Sequence, residues 1–172
     1  PTPSSAPDAG CTPGWEKPGG NAYINRTFKQ SGNSALIFFG GFTGADNTAV
    51  VYQDLPAPPG ELVSVSSVVV QITGDTLQLD NVAFMSLEFY GGGPVPIQIT
   101  RLSMLDATSP VDVFLPGNVL ATAPAETTTA RVQFGFFQSA RTTTMPPIQQ
   151  GAGAAYFDDA EIEFLGPNTG LI

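Results

Sequence analysis

Apolar residues in this chain recur at every second position in short runs, and no segment carries them at the 3.6-residue spacing of a capped helix over three turns. That property restricts the chain to strands. Ala83, Met85, Leu87 and Phe89 alternate with Phe84, Ser86, Glu88 and Tyr90, the pattern of a half-buried strand. Val132, Phe134 and Phe136 alternate in the same way with Arg131, Gln133, Gly135 and Phe137. Gly40-Gly41, Pro56 to Gly60 and Gly91 to Pro94 stop such runs. Further strands are expected over 23–28, 34–39 and 48–53 and from Ile97 toward Leu105, with irregular chain over 108–118 and a connection over 121–128. Between 61 and 73 the apolar positions slip from Val63 and Val65 to Val68, Val70 and Ile72, which predicts a β-bulge near Ser66-Ser67. Eight to ten strands with long corners make an all-β fold, an antiparallel β-sandwich of jelly-roll type.

The 172 residues suit one domain with a full sandwich core. Residues 1–22, rich in Pro, Ser and Gly, read as a linker or irregular lead-in in which Trp15 caps one end of the core. Residues 23–166 form the sandwich and 167–172 a tail. Only 12% of residues are charged, so the surface must be largely Thr, Ser, Asn, Gln and Gly. Six Lys and Arg stand against 15 Asp and Glu, and a net charge of -9 makes nucleic acid and anionic membrane surfaces poor partners, while an uncharged partner or a divalent cation fits better. No apolar run reaches the length of a membrane span.

His is absent, so a Ser-His-Asp or Cys-His relay within the chain is impossible. Cys11 is the single cysteine, either a thiol or half of a bridge to another part of the protein. The chain opens at Pro1 without a Met and reads as a processed or excised piece of a secreted, extracellular protein.

The closing stretch poses a problem in charge burial. Ala160, Ile162 and Phe164 alternate with Glu161 and Glu163 as in a strand. Counted backwards, Asp158 falls on the apolar side and Asp159 on the other. A carboxylate on a core-facing row requires a partner, and two kinds serve: backbone N–H groups of a neighbouring loop, or a metal ion.

Four fragments, in their order and spacing, carry a resemblance. They are Gly-Asn-Ser-Ala-Leu at 32–36, Val-Tyr-Gln at 51–53, Ala-Pro-Ala-Glu-Thr at 123–127 before Ala-Arg-Val-Gln-Phe at 130–134, and Tyr-Phe-Asp-Asp-Ala at 156–160. Over roughly residues 15–165 the chain resembles the galactose-binding-like jelly-roll modules, in particular the carbohydrate-binding modules attached to secreted polysaccharide-degrading enzymes. The resemblance implies a non-catalytic module fused to another domain, with a polysaccharide or oligosaccharide as partner. It also implies a structural calcium ion, held by Asp158 or Asp159 together with the Ser31-Gly32-Asn33 turn. Glu16 is the nearest acid in the lead-in.

Sugar recognition needs an aromatic ring to stack on and side chains that read hydroxyls. Phe84, Glu88 and Tyr90 share one parity on their strand, and Arg131, Gln133 and Phe137 share one parity on theirs. If those strands are neighbours, Phe84, Glu88, Tyr90, Arg131 and Gln133 form an aromatic platform for ligand binding. The plainer reading is a set of cross-strand pairs that only stabilise the sheet. Tyr52 reads as buried beside Gln53. The acids Glu161 and Glu163 share a face but have no aromatic subsite around them, so they read as solvated rather than catalytic. A structural or adhesive jelly roll of a cell-surface, matrix or virion protein is the alternative to a sugar-binding module.

Overall fold

The computed structural model describes residues 14–140 and 151–167, and these form ten β-strands and no helix. They are β1 (Glu16–Gly19), β2 (Asn21–Asn25), β3 (Ala35–Phe39), β4 (Asn47–Pro56), β5 (Glu61–Val70), β6 (Val82–Tyr90), β7 (Pro96–Leu105), β8 (Leu115–Thr122), β9 (Thr129–Gln138) and β10 (Ala154–Pro167). Two five-stranded sheets result, with strand orders β1-β4-β9-β6-β7 and β2-β3-β10-β5-β8. Every pairing between these strands is antiparallel. The fold is the expected all-β sandwich.

Alternation decides what goes inside. On β6 the buried row is Ala83, Met85, Leu87 and Phe89, and in register beside it β9 buries Val132, Phe134 and Phe136. The second sheet answers with Phe38, Val63, Val65, Val69 and Phe157. The Phe157 ring meets Phe38 edge-on at 5.6 Å and Phe134 at 5.2 Å, so aromatic contacts tie the two layers. Trp15 lies 5.6 Å from Phe134 and covers one end of this core. A smaller apolar layer sits on the outer side of the second sheet, where Val70, Ala154 and Tyr156 pack with Ile37, Phe39 and Phe114.

Two buried amides pin the loops at the end where β4 begins. The Gln138 Oε1 accepts from the Phe42 N–H and from Asn47 Nδ2, each at 2.9 Å, and its Nε2 donates to the Gly151 carbonyl at 2.8 Å. Asn81 donates to the carbonyls of Gly151 and Ala152 and accepts from the Ser139 N–H.

Three expectations are corrected. The sandwich begins at Glu16, inside the span assigned to a lead-in, because β1 pairs with β4 and β2 with β3. The stretch thought irregular near Asn118, with the start of the supposed connection, is β8, an edge strand paired with β5 from Leu115 opposite Val69 to Thr122 opposite Leu62. Its Pro116 and Gly117 hid it, since both disfavour a strand yet are tolerated at a sheet edge.

The third correction moves the bulge. β5 keeps one parity, with Val63, Val65, Ser67 and Val69 all facing inward and buried. Opposite Ser67, three steps of β10 from Asp158 to Glu161 meet two steps of β5 from Val68 to Ser66, so the extra residue is in β10. Asp159 takes the left-handed turn there, with φ 49°. The Ser67 hydroxyl donates to the Asp158 carbonyl at 2.8 Å and closes the gap. Asp158 therefore leaves the apolar row and sits opposite Val68, while Ile162 returns to the core opposite Val65. Cys11, residues 141–150 of the long loop and the tail beyond Pro167 lie outside the described residues.

Candidate functional site

On the outer face of the first sheet, β9 lies between β4 and β6, with β1 and β7 at the edges. Register places Tyr52, Gln133, Ser86 and Arg101 in one row across four strands, with Glu16 beyond Tyr52. The next row is Asp54, Arg131, Glu88 and Ile99. Residues in such rows stand within side-chain reach of one another.

Arg131 is the hub. Its guanidinium donates to both oxygens of Asp54, at 2.7 and 2.8 Å, and lies over the rings of Tyr52 at 3.7 Å and Tyr90 at 4.9 Å. Fork geometry and two π-faces hold it flat. The Tyr52 hydroxyl donates to Glu16 at 2.7 Å, and the Tyr90 hydroxyl to Glu88 at 2.6 Å. Ser86 donates to the other Glu88 oxygen at 3.2 Å, and Arg101 stands 4.0 Å from that oxygen. Burial, and then the bond to Glu88, push the Tyr90 phenol up to about 12. The bond to Glu16, and then burial, raise Tyr52. The Asp54 bonds raise Arg131 above its already high value, so its charge is permanent.

Phe84, Glu88, Tyr90, Arg131 and Gln133 do share this face, because β6 and β9 are neighbours. Their depths differ from the expected platform. Phe84 is only 4% exposed: its ring lies over Gly135, and the Arg101 guanidinium covers it at 4.2 Å. Glu88 is 5% exposed and pinned from two sides. Both support the face rather than present it. Tyr52, read as buried, belongs to the face with Asp54, Glu16 and Arg101, none of which was expected there. Parity along β4 and β7 carries the signal for Tyr52, Asp54 and Arg101, but only the strand order brings those strands beside β9 and β6.

The metal-ligand expectation meets a different arrangement. The Asp158 Oδ2 accepts the N–H groups of Gln30 at 2.7 Å and Ser31 at 3.0 Å, and its Oδ1 accepts the Asp159 N–H at 2.9 Å. The Ser31 hydroxyl donates to Asp159. Asn33 lies on the exposed turn, and Glu16 is bound to Tyr52 on the other sheet. Calcium needs six to eight oxygens aimed at it. Here N–H donors point at the carboxylate from both strand and turn, and no group of three acids or thiols converges among the described residues. This donor set does not fit the ion.

No protein-family model matches the chain, and no curated protein matches it. Solved structures do match in fold. The CBM22-1 xylan-binding domain of Paenibacillus barcinonensis Xyn10C aligns with a TM-score of 0.56 at 13% identity, over 92% of this chain and 90% of that one. TmCBM61, solved in complex with β-1,4-galactotriose, aligns with 0.51 at 12% identity, over 91% of each chain. The enzymatically active domain of tailspike protein 4 of bacteriophage CBA120 aligns with 0.60 at 11% identity; it is covered over 20% of its length, against 89% of this chain. At such identities the likeness is one of fold, and the fold is the jelly-roll sandwich of carbohydrate-binding modules.

Proposed function

We propose that this chain is a non-catalytic carbohydrate-binding module whose ligand lies across the outer face of the first sheet. The observation that carries the reading is the Tyr52–Arg131–Tyr90 band. Three adjacent strands hold two rings on either side of a fixed guanidinium, and Gln133 stands beside them. Rings locked in this way offer stacking surface at little entropic cost, and amide groups beside them read hydroxyls. The carboxylates of the face are bound to tyrosines and Arg131, which leaves neither a free nucleophile nor a free acid for hydrolysis.

A low-charge surface suits work outside the cell. The CBM22-1 and GH10 modules of Clostridium thermocellum Xyn10B, solved with xylohexaose, show the same fold beside a further module in one chain, which supports attachment to another domain.

Affinity electrophoresis through gels holding soluble neutral polysaccharides tests the proposal. Retardation of the native chain is expected, lost in Tyr90→Ala and Gln133→Ala and kept in Tyr23→Ala, a residue of the second sheet. No retardation by any glycan, together with a stable trimer or larger assembly, overturns it in favour of a structural or adhesive domain.

A further inference from the structure

Most polar groups on the candidate face are engaged with one another, and several of those that are not stand together. Asp54, Glu16 and Glu88 accept bonds from Arg131, Tyr52 and Tyr90. Next to them is a depression of ≈ 360 Å³ bordered by Thr48, Phe84, Arg101, Ser103, Gln133 and Phe137. Among the described residues, the side chains of Thr48, Ser103 and Gln133 make no hydrogen bond, and Arg101 has only its 4.0 Å approach to Glu88. Arg101 is half exposed on β7, yet its guanidinium lies over the Phe84 ring at 4.2 Å. Guanidinium N–H groups with no hydrogen-bonded acceptor, held over an aromatic ring at the edge of a depression lined by both polar and apolar side chains, suit a ligand that carries hydroxyls on an apolar ring.

We propose that Arg101 is the specificity-determining residue of this face, donating in bidentate fashion to a vicinal diol of a neutral glycan, with Gln133 and Ser103 reading adjacent hydroxyls. This rests on the glycan-binding reading above. The neutral class follows from charge. Glu88 balances Arg101 and Asp54 balances Arg131, Glu16 is unbalanced, and the chain as a whole carries -9. A polyuronate with one charge per ring would bring each carboxylate against that field. Gly135 is part of the device: a Cβ there would overlap the Phe84 ring and lift the surface on which Arg101 rests.

The test measures retardation in gels holding a panel of neutral glycans (xylan, galactan, mannan, β-glucan) and in gels holding polygalacturonate. The native chain, Arg101→Ala and Arg101→Lys are compared, with thermal melts of each. The native chain should be retarded by a neutral glycan and not by polygalacturonate. Arg101→Ala should weaken affinity about tenfold or more with an unchanged melt, as loss of hydrogen bonds from a charged group does. Arg101→Lys should not restore it, since Lys keeps the charge and loses the fork. Retardation that survives Arg101→Ala overturns the assignment of Arg101 and leaves the glycan reading standing. Preference for polygalacturonate overturns the neutral class. No retardation of the native chain by any glycan overturns the reading on which both rest.

Discussion

The Tyr90 hydroxyl is held between burial and the Glu88 carboxylate, which push it from 10.0 to about 12. A group whose folded-state pKa is raised contributes stability that is complete below its unfolded value and lost as pH climbs to the folded one. The urea midpoint should therefore fall between pH 10 and about 12, and Tyr90→Phe should flatten part of that fall, with Tyr52 supplying a share of the remainder. An equal slope in the variant would rule Tyr90 out. Gly135→Ala tests the underside of the face. A methyl group would be driven into the buried Phe84 ring, and such overpacking costs about 1–3 kcal/mol, visible as a lower melting temperature. Alternation puts Glu88 and Tyr90 on one side of β6 and Arg131 and Gln133 on one side of β9, and the sequence left only the pairing of those two strands to be supplied. Arg101, Asp54 and Glu16 were not legible in it, since they join the face only through the order of strands in the sheet. No local pattern records that order.

β10 shows where an element can be read and where it cannot. Its existence was plain, but the bulge was assigned to β5. Val68 and Val70 looked like a shifted inward row because the outer side of this sheet is also apolar, with Val70 packed beside Tyr156. Burial on both sides erases the parity signal, and the inward Ser67 completed the disguise. The same bulge aims Asp158 at the N–H groups of Gln30 and Ser31, which brings two predictions. Asp158→Ala should destabilise the chain by about 1 kcal/mol, the net worth of hydrogen bonds from an exposed turn to a carboxylate, read from urea unfolding. Melting temperatures in calcium and in chelator should coincide; a shift of several degrees would mean that an ion displaces these donors. Gly153, just ahead of β10, has φ 112° and lies against the backbone of Thr76 and Leu77. Gly153→Ala should fail to fold, seen as loss of dispersion in an amide NMR spectrum.

Across the whole molecule, β10, the last of the described strands, is the middle strand of its sheet, with β3 on one side and β5 on the other. A chain cut before Ala154 should lack a cooperative melt, because neither half of that sheet can bury its inner face without the other. The order of synthesis gives the arrangement a further meaning. While β10 is still inside the ribosome, the emerged chain has two open strand edges, at β3 and β5, waiting for one guest. Any extended peptide nearby, including that of a neighbouring nascent chain, competes for the slot until β10 fills it. The interval between the emergence of β5 and the arrival of β10 is thus when this fold is most open to mispairing, and a factor that binds extended chain should raise its yield more than one that acts on the finished fold.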